Sequence, residues 1–400
     1  MPKWNGLPTI QPRHLTNSYK TERRYFMNKA VFLLFTFFLS LTTFADSNTA
    51  NWMSQIPNDR TLNQLIIPGT HDSGTDSITS SSYFSISDPG PLPAWLEEIS
   101  NILPASIIRP IVAGWSKTQP YSISDQLNNG IRYFDFRVCY AKSDFYLCHT
   151  MLGDLVSDAL KNIQTFAQAH PSEIIIVDFN HFYGITDSTI ETAFLTTLKN
   201  NLGDLAVSNT YHSKSTMGQI RQSKRQIIIL MDTNQPISTP DLQQFAATYL
   251  WHERRINSPW PNASNITDLK NDLDTEEAYR AKTVSTATNL FVLQAIQTEN
   301  TSQVIDGIIA PSTYPNNIEN YEAPLNQVLG NWLNNYIAAD GKTAINIVIQ
   351  DWFTNQSELV PIAMQYDSEV AQHQKINTDA AKLTQLKKWY GMRNDHTQRK

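Results

Sequence analysis

Six apolar runs of β type, separated by stretches of helical pattern, set the limits on what this chain can become. They are Leu62–Pro68, Ile131–Cys139, Glu173–Phe179, Arg225–Asp232, Leu290–Ile296 and Ile345–Asp351. Several are continuous instead of alternating: IIIV, QIIILM and INIVI. A strand with one wet face alternates polar and apolar residues, whereas a strand buried on both faces does not need to. Between the runs, Asp154–His170 carries apolar residues at Leu155, Leu160, Ile163 and Phe166 and stops before Pro171. Thr189–Leu202 and Leu325–Ala338 have the same character, and in Gln356–Met364 the pattern is interrupted by Pro361. Strand–helix alternation of this length predicts a parallel sheet covered by helices, an α/β barrel. No internal repeat is visible.

Composition closes off other classes. With 41% hydrophobic and 17% charged residues, the chain holds ample material for a large core and is neither disordered nor fibrous. A net charge of -6 argues against a nucleic-acid partner, whose binding rests on neutralising phosphates. Two cysteines and no Cys-x-x-Cys cannot found a thiolate zinc site.

The stretch from Met27, MNKAVFLLFTFFLSLTTFADS, sets Lys29 before an apolar run from Ala30 to Leu41 and ends in small residues at Thr43 and Ala45. It reads as a cleavable secretory signal peptide over 27–45, too short to span a bilayer. Residues 1–26 then read as an upstream extension, with Met27 the expected initiator, and 46–400 as the barrel domain. The expected location is secreted or periplasmic. There Cys139 and Cys148, on either side of a turn at Ala141–Asp144, are expected to form a disulfide across a hairpin; buried free thiols are the alternative. Ile78–Gly114 reads as an inserted helical rim, either a packing layer or an apolar lip (Trp95, Leu96, Ile102, Leu103, Ile107, Ile108) facing a membrane. The basic segment 382–400, with Trp389 and Tyr390, reads as a solvated end or a lipid contact.

Barrel active sites lie at the C-terminal ends of the strands. Here those ends carry His71 and Asp72, Asp135 and Arg137, His149, Asp178 with Asn180 and His181, Asp232, and Asp351. Asp135 and Arg137 are two apart and share a face. Two histidines with an arginine suit phosphodiester cleavage: one imidazole takes a proton, the other gives one, and the guanidinium neutralises charge on phosphorus.

The blocks IPGTHDSG, GIRYFDFR, the following His149, HPSEIIIVDFNHFYG and VIQDW resemble, in this order, the X domain of phosphatidylinositol-specific phospholipase C. WSKTQP (Trp115–Pro120) fits as well. DFNHFYG and SPWPN resemble the small X-domain-containing subgroup, and VIQDW the secreted bacterial enzymes. The resemblance implies a distorted (β/α)8 barrel. It implies that His71 is the base that deprotonates the inositol 2-hydroxyl and His149 the acid that protonates the leaving oxygen. Asp351 would orient His71, Asp72 would support His149, and Arg137 would hold the phosphate. Calcium-dependent members have carboxylate ligands where Arg137 stands, so no metal and no cofactor are expected. Asp72 and Asp135 are the carboxylates still able to serve an ion.

The bacterial enzymes place basic residues after the third and fourth strands, where this chain has Asn180, His181 and Asp232. These three are the candidate headgroup-binding residues. Trp260 and Tyr183 fit either an aromatic wall for a sugar ring or core packing. The expected activity is a secreted phospholipase C releasing diacylglycerol and a cyclic phosphorylated headgroup. A peripheral phospholipid surface is the expected partner and a monomer the expected state. A same-fold phosphodiesterase for another substrate and a non-catalytic lipid- or glycan-binding module are the alternatives.

Overall fold

The computed structural model describes residues 48–85, 104–340 and 344–368. The signal peptide, the upstream extension, Trp95, Leu96, Ile102 and Leu103 of the rim, and the basic segment 382–400 lie outside the described residues. The strands are β1 (Ile67–Thr70), β2 (Tyr133–Ala141), β3 (Asp144–His149), β4 (Met151–Leu155), β5 (Ile175–Tyr183), β6 (Ile227–Leu230), β7 (Leu250–Trp251), β8 (Ile256–Asn257), β9 (Leu290–Ala295) and β10 (Ile347–Gln350). Eight run parallel in the order β7-β6-β5-β2-β1-β10-β9-β8, and β3 and β4 form a hairpin extension on β2. With helices between the strands, this is a distorted (β/α)8 barrel. The distortion sits at β7 and β8: only the turn Glu253–Arg255 separates them, and no ladder joins them among the described residues.

Both faces of the strands are buried, as the continuous apolar runs require. One set of strand residues (Ile67, Tyr133, Ile176, Ile228, Trp251, Val292, Ile347) packs into one cluster with Trp52 and Met53. The residues between them turn the other way. Phe134, Val177 and Ile229 meet the helices Val156–Ala169 and Ser188–Leu202, while Phe291, Leu293 and Val348 meet Ile318–Asp340. Burying such a side chain stabilises the fold by roughly 1.5–3 kcal/mol.

Several boundaries differ from the sequence reading. Leu62–Gln64 is a 3-10 turn, and the strand starts only at Ile67. The late helix begins at Ile318 and runs through Pro324, because the Asn317 side chain accepts from the Asn320 amide and Tyr321 packs inward. The helix 359–368 takes Pro361 in its first turn, where a missing N–H costs nothing. The described part of the inserted rim is the helix Ala105–Ser116. Its Ile108, Val112 and Trp115 pack on Met151, Val304 and Tyr321, so this half is a packing layer, with Ile107 exposed.

The first βα turn is pressed against β4. A Cβ on Gly153 would stand 2.4 Å from the Gly74 carbonyl oxygen, and one on Gly74 would strike Leu147. This contact holds the segment after β1 against the hairpin extension. Gly153→Ala is therefore expected to lower stability by about 1–3 kcal/mol in urea unfolding. A variant as stable as the parent would show that the two segments have room to part.

Candidate active site

His71 and Asp72 follow β1, Asp135 and Arg137 lie on β2, His149 ends β3, and Asp351 follows β10. The structure brings all six together. His71 Nδ1 lies 2.9 Å from Asp351 Oδ1. Its Nε2 lies 3.3 Å from Asp72 Oδ2, 3.2 Å from Arg137 Nη2 and 3.9 Å from Asp135 Oδ2. Asp72 pairs through Oδ1 with Arg137 Nε at 2.9 Å. The His71 and His149 ring centroids are 6.3 Å apart.

The backbone at these strand ends is unusual. Asp72 itself, Thr150 after His149 and Trp352 after Asp351 all adopt positive φ (43°, 56° and 52°). Non-glycine residues enter this region at a cost of about 1–3 kcal/mol each, sustained only where the surroundings impose it. The block Trp115–Pro120 imposes it here. The Thr118 hydroxyl donates to the Asp72 carbonyl at 3.0 Å, and the Thr118 carbonyl accepts from the Trp352 amide at 2.7 Å. The Gln119 side chain donates to the His71 and Gln350 carbonyls and accepts from the Phe353 amide. The Ser116 carbonyl accepts from His149 Nδ1 at 3.1 Å. One short segment thus staples together the three strand ends.

The resemblance gives Asp72 to His149, and Asp72 Oδ2 faces both rings, 3.9 Å from His149 Nδ1 and 3.3 Å from His71 Nε2. The Arg137 guanidinium holds the carboxylate on its own side, and the Ser116 carbonyl takes its place at Nδ1. With Nδ1–H donated there, a neutral His149 presents a lone pair at Nε2.

The charges differ sharply between the two rings. Burial alone would lower the His71 pKa, but the carboxylates of Asp72 and Asp351 overcome it and hold it at about 10. Burial lowers the pKa of His149, against the pull of Asp72 and with the help of Arg137. Burial works against ionisation of Asp72 too, yet Arg137 and His71 hold it below the usual carboxylate range. Burial also pushes Asp351 up, against His71. Three carboxylates face this one imidazole and favour its charged form, while Arg137 Nη2, a donor 3.2 Å from Nε2, favours the form with a lone pair there.

Beside this cluster opens a cavity of about 560 Å³. Its walls include His71, Asp135, Arg137, Asn180 and His181. Asn180 donates to Asp135 and pairs with His181 Nδ1. Asp178 lies at its base, accepting from the Tyr133 hydroxyl at 2.6 Å, with burial raising its pKa to about 8. Asp232 does not line the cavity: it pairs with His252 at 2.7 Å among exposed side chains. Asp232 lies just beyond β6 and His252 just beyond the adjacent β7, where the two meet. Trp260 does line it, 60% exposed, its indole donating to Thr298. Tyr183 packs instead by the disulfide Cys139–Cys148, whose Cα atoms are 6.0 Å apart.

Sequence reading missed Glu253, Ser258 and Gln294, which complete the wall. Gln294 had a signal, as the polar residue within the apolar run LFVLQA. Glu253 had none, because the strands around it are two residues long.

His71, Asp72 and Asp135 place ligand atoms within 4.8 Å of one another. They do not fit a divalent cation. The Arg137 guanidinium contacts two of the three, Asp72 and His71, and so sets a fixed positive charge against the donor atoms a cation would need.

Residues 112–260 match the PI-PLC X family model (PI-PLC X 1), a span that includes Arg137 and His149 but not His71 or Asp351. Over 268 residues the chain is 29% identical to human PI-PLC X domain-containing protein 2, covering 65% of this chain and 81% of that one. Against mouse PI-PLC X domain-containing protein 3 it is 26% identical over 269 residues, covering 65% and 77%. Among solved structures, the phosphatidylinositol-specific phospholipase C from Listeria monocytogenes superposes with a TM-score of 0.52 at 18% identity, covering 80% of this chain and 98% of that one. A mutant of the Staphylococcus aureus enzyme gives 0.53 at 18% identity, with coverage of 80% and 98%. These structures share the barrel fold.

A nitrogen-15 spectrum of the histidines tests the charge asymmetry. At pH 7 His71 should be protonated and His149 neutral. A folded-state pKa raised from 6.5 to about 10 means the His71 ion pairs stabilise the fold fully below pH 6.5 and are lost as pH rises through about 10. Asp351→Asn should move the His71 titration to lower pH. An unmoved titration would show that Asp351 is not its partner.

Proposed function

We propose, from the match of residues 112–260 to the PI-PLC X family model, that the chain is a member of that family and cleaves the phosphodiester bond of a phosphatidylinositol-type lipid, with His71 and His149 as the acid–base pair. The observation that carries this reading is two imidazoles 6.3 Å apart with the Arg137 guanidinium against one of them. Arg137 holds the phosphate. His71 accepts the proton of the inositol 2-hydroxyl as that oxygen bonds to phosphorus. The phosphorus–glycerol oxygen bond breaks, and His149 supplies a proton to the departing oxygen. Diacylglycerol and a cyclic phosphodiester result.

The base role requires His71 to be without a proton at Nε2, and the acid role requires His149 to carry one. A phosphodiester anion that neutralises Arg137 removes a charge that opposes a proton on His149. Asp72 faces both rings, 3.3 Å from His71 and 3.9 Å from His149.

The cavity supports a headgroup without further phosphates. Among its described lining residues Arg137 is the one lysine or arginine, while Asp135, Asp178 and Glu253 are carboxyl groups. Trp260 offers an apolar face for a ring. We extend the reading to place: an exported monomer working at a phospholipid surface, an oxidising setting to which the Cys139–Cys148 disulfide is suited.

Release of water-soluble headgroup from phosphatidylinositol vesicles should proceed in EDTA. His71→Ala and His149→Ala should each lower the rate by about 10²–10⁴, and phosphatidylinositol bisphosphate should be the poorer substrate. Full activity in either variant would end the two-histidine scheme. Failure of the parent on any phosphodiester, with lipid binding retained, would favour a binding module.

A further inference from the structure

We propose that the Cys139–Cys148 disulfide is a positioning device for the reaction, fixing His149 against the strand that carries Arg137. The proposal rests on the two-histidine reading above. Cys148 immediately precedes His149, and Cys139 lies two residues beyond Arg137. The β2–β3 ladder runs from Ala141↔Asp144 to Val138↔Leu147 and goes no further toward the site. From that point the strands part. Arg137 pairs with His181 on β5, whereas Cys148 and His149 pair with Leu152 and Met151 on β4.

Both ladders are irregular at this point. The β2–β5 register shifts between Phe136 and Arg137, and the β3–β4 register shifts between Tyr146 and Cys148. Backbone pairing is therefore weakest where the two functional side chains must hold a fixed separation. Among the described residues β3 pairs with no barrel strand other than β2. The crosslink is buried, at 0% and 2% exposure, with Leu152 beside it and the Ser85 hydroxyl 2.8 Å from the Cys139 sulfur. It supplies covalently the restraint that the diverging ladders lack. Thr150, at φ 56°, then turns the chain directly after His149, so a loosened β3 would let the imidazole swing off the Ser116 carbonyl. A bond that served folding alone could lie anywhere in the hairpin.

The test compares the parent with Cys139→Ala/Cys148→Ala, and with Cys139→Val/Cys148→Ala should the first fail to fold. Each is assayed well below its own unfolding midpoint. With phosphatidylinositol the kcat should fall about tenfold or more while KM changes less than about threefold, since an acid of this kind contributes about 10²–10⁴. With a nitrophenyl phosphodiester of inositol, whose leaving oxygen needs no proton, the fall should shrink to less than about threefold. An equal fall on both substrates, or none on either, would overturn the proposal. Nitrogen-15 histidine spectra decide it independently of turnover. The His149 signal should shift or broaden in the variant while that of His71 stays in place, and an unchanged His149 signal would overturn the positioning role. If the parent cleaves neither substrate, the phosphodiesterase reading fails, and the spectra alone settle the positioning role.

Discussion

The site depends on one buried carboxylate. Asp72 is 2% exposed, pairs with Arg137 through one oxygen and faces both imidazoles with the other. An isolated charge at such depth is costly, and removing one partner of a buried pair commonly costs about 3–5 kcal/mol. Asp72 is tolerated because cationic partners surround it. The same carboxylate thus links the guanidinium to both rings.

Holding that carboxylate in place takes more than its own strand. The positive φ at Asp72, Thr150 and Trp352 means that three chain segments turn sharply just where their side chains meet. Thr118 and Gln119 bind the backbones of the first and the last of these turns, and Ser116 holds the ring beside the middle one. The far end of the barrel is built differently. There Arg132 and Glu173 form a fully buried ion pair at 2.7 Å, and Arg132 also donates to the carbonyls of Thr49 and Ala50. Those bonds bind the N-terminal segment to β2 and touch none of the cavity residues. The Arg132–Glu173 pair thus sits just before the first residues of β2 and β5, away from the cluster around His71.

The sequence made the long elements and the candidate site residues legible for different reasons. Runs such as IIIV and INIVI announce strands buried on both faces, and β5 and β10 lie where those runs stand. His71, Arg137, His149 and Asp351 were visible because each caps such a run. β7 and β8 were not visible: two residues carry no periodicity, so Glu253 between them could not be placed at the cavity. Asp232 followed an apolar run like the others, but it pairs with His252 beyond the neighbouring strand β7 and does not face the cavity. Sequence position told which residues end strands, while the first turn after each strand decided which way they point.

The protonation pattern was the least legible of all. Chain order makes His71 and His149 look equivalent, two histidines each after a β run. Their difference arises from what lies across the barrel: Asp351 from the last strand and Asp72 against His71, a backbone carbonyl from Ser116 against His149. A carboxylate stabilises an imidazolium far more than a neutral carbonyl does in a low-dielectric site. Of the two rings, the one that the family resemblance makes the base is therefore the one whose charged form the carboxylates favour.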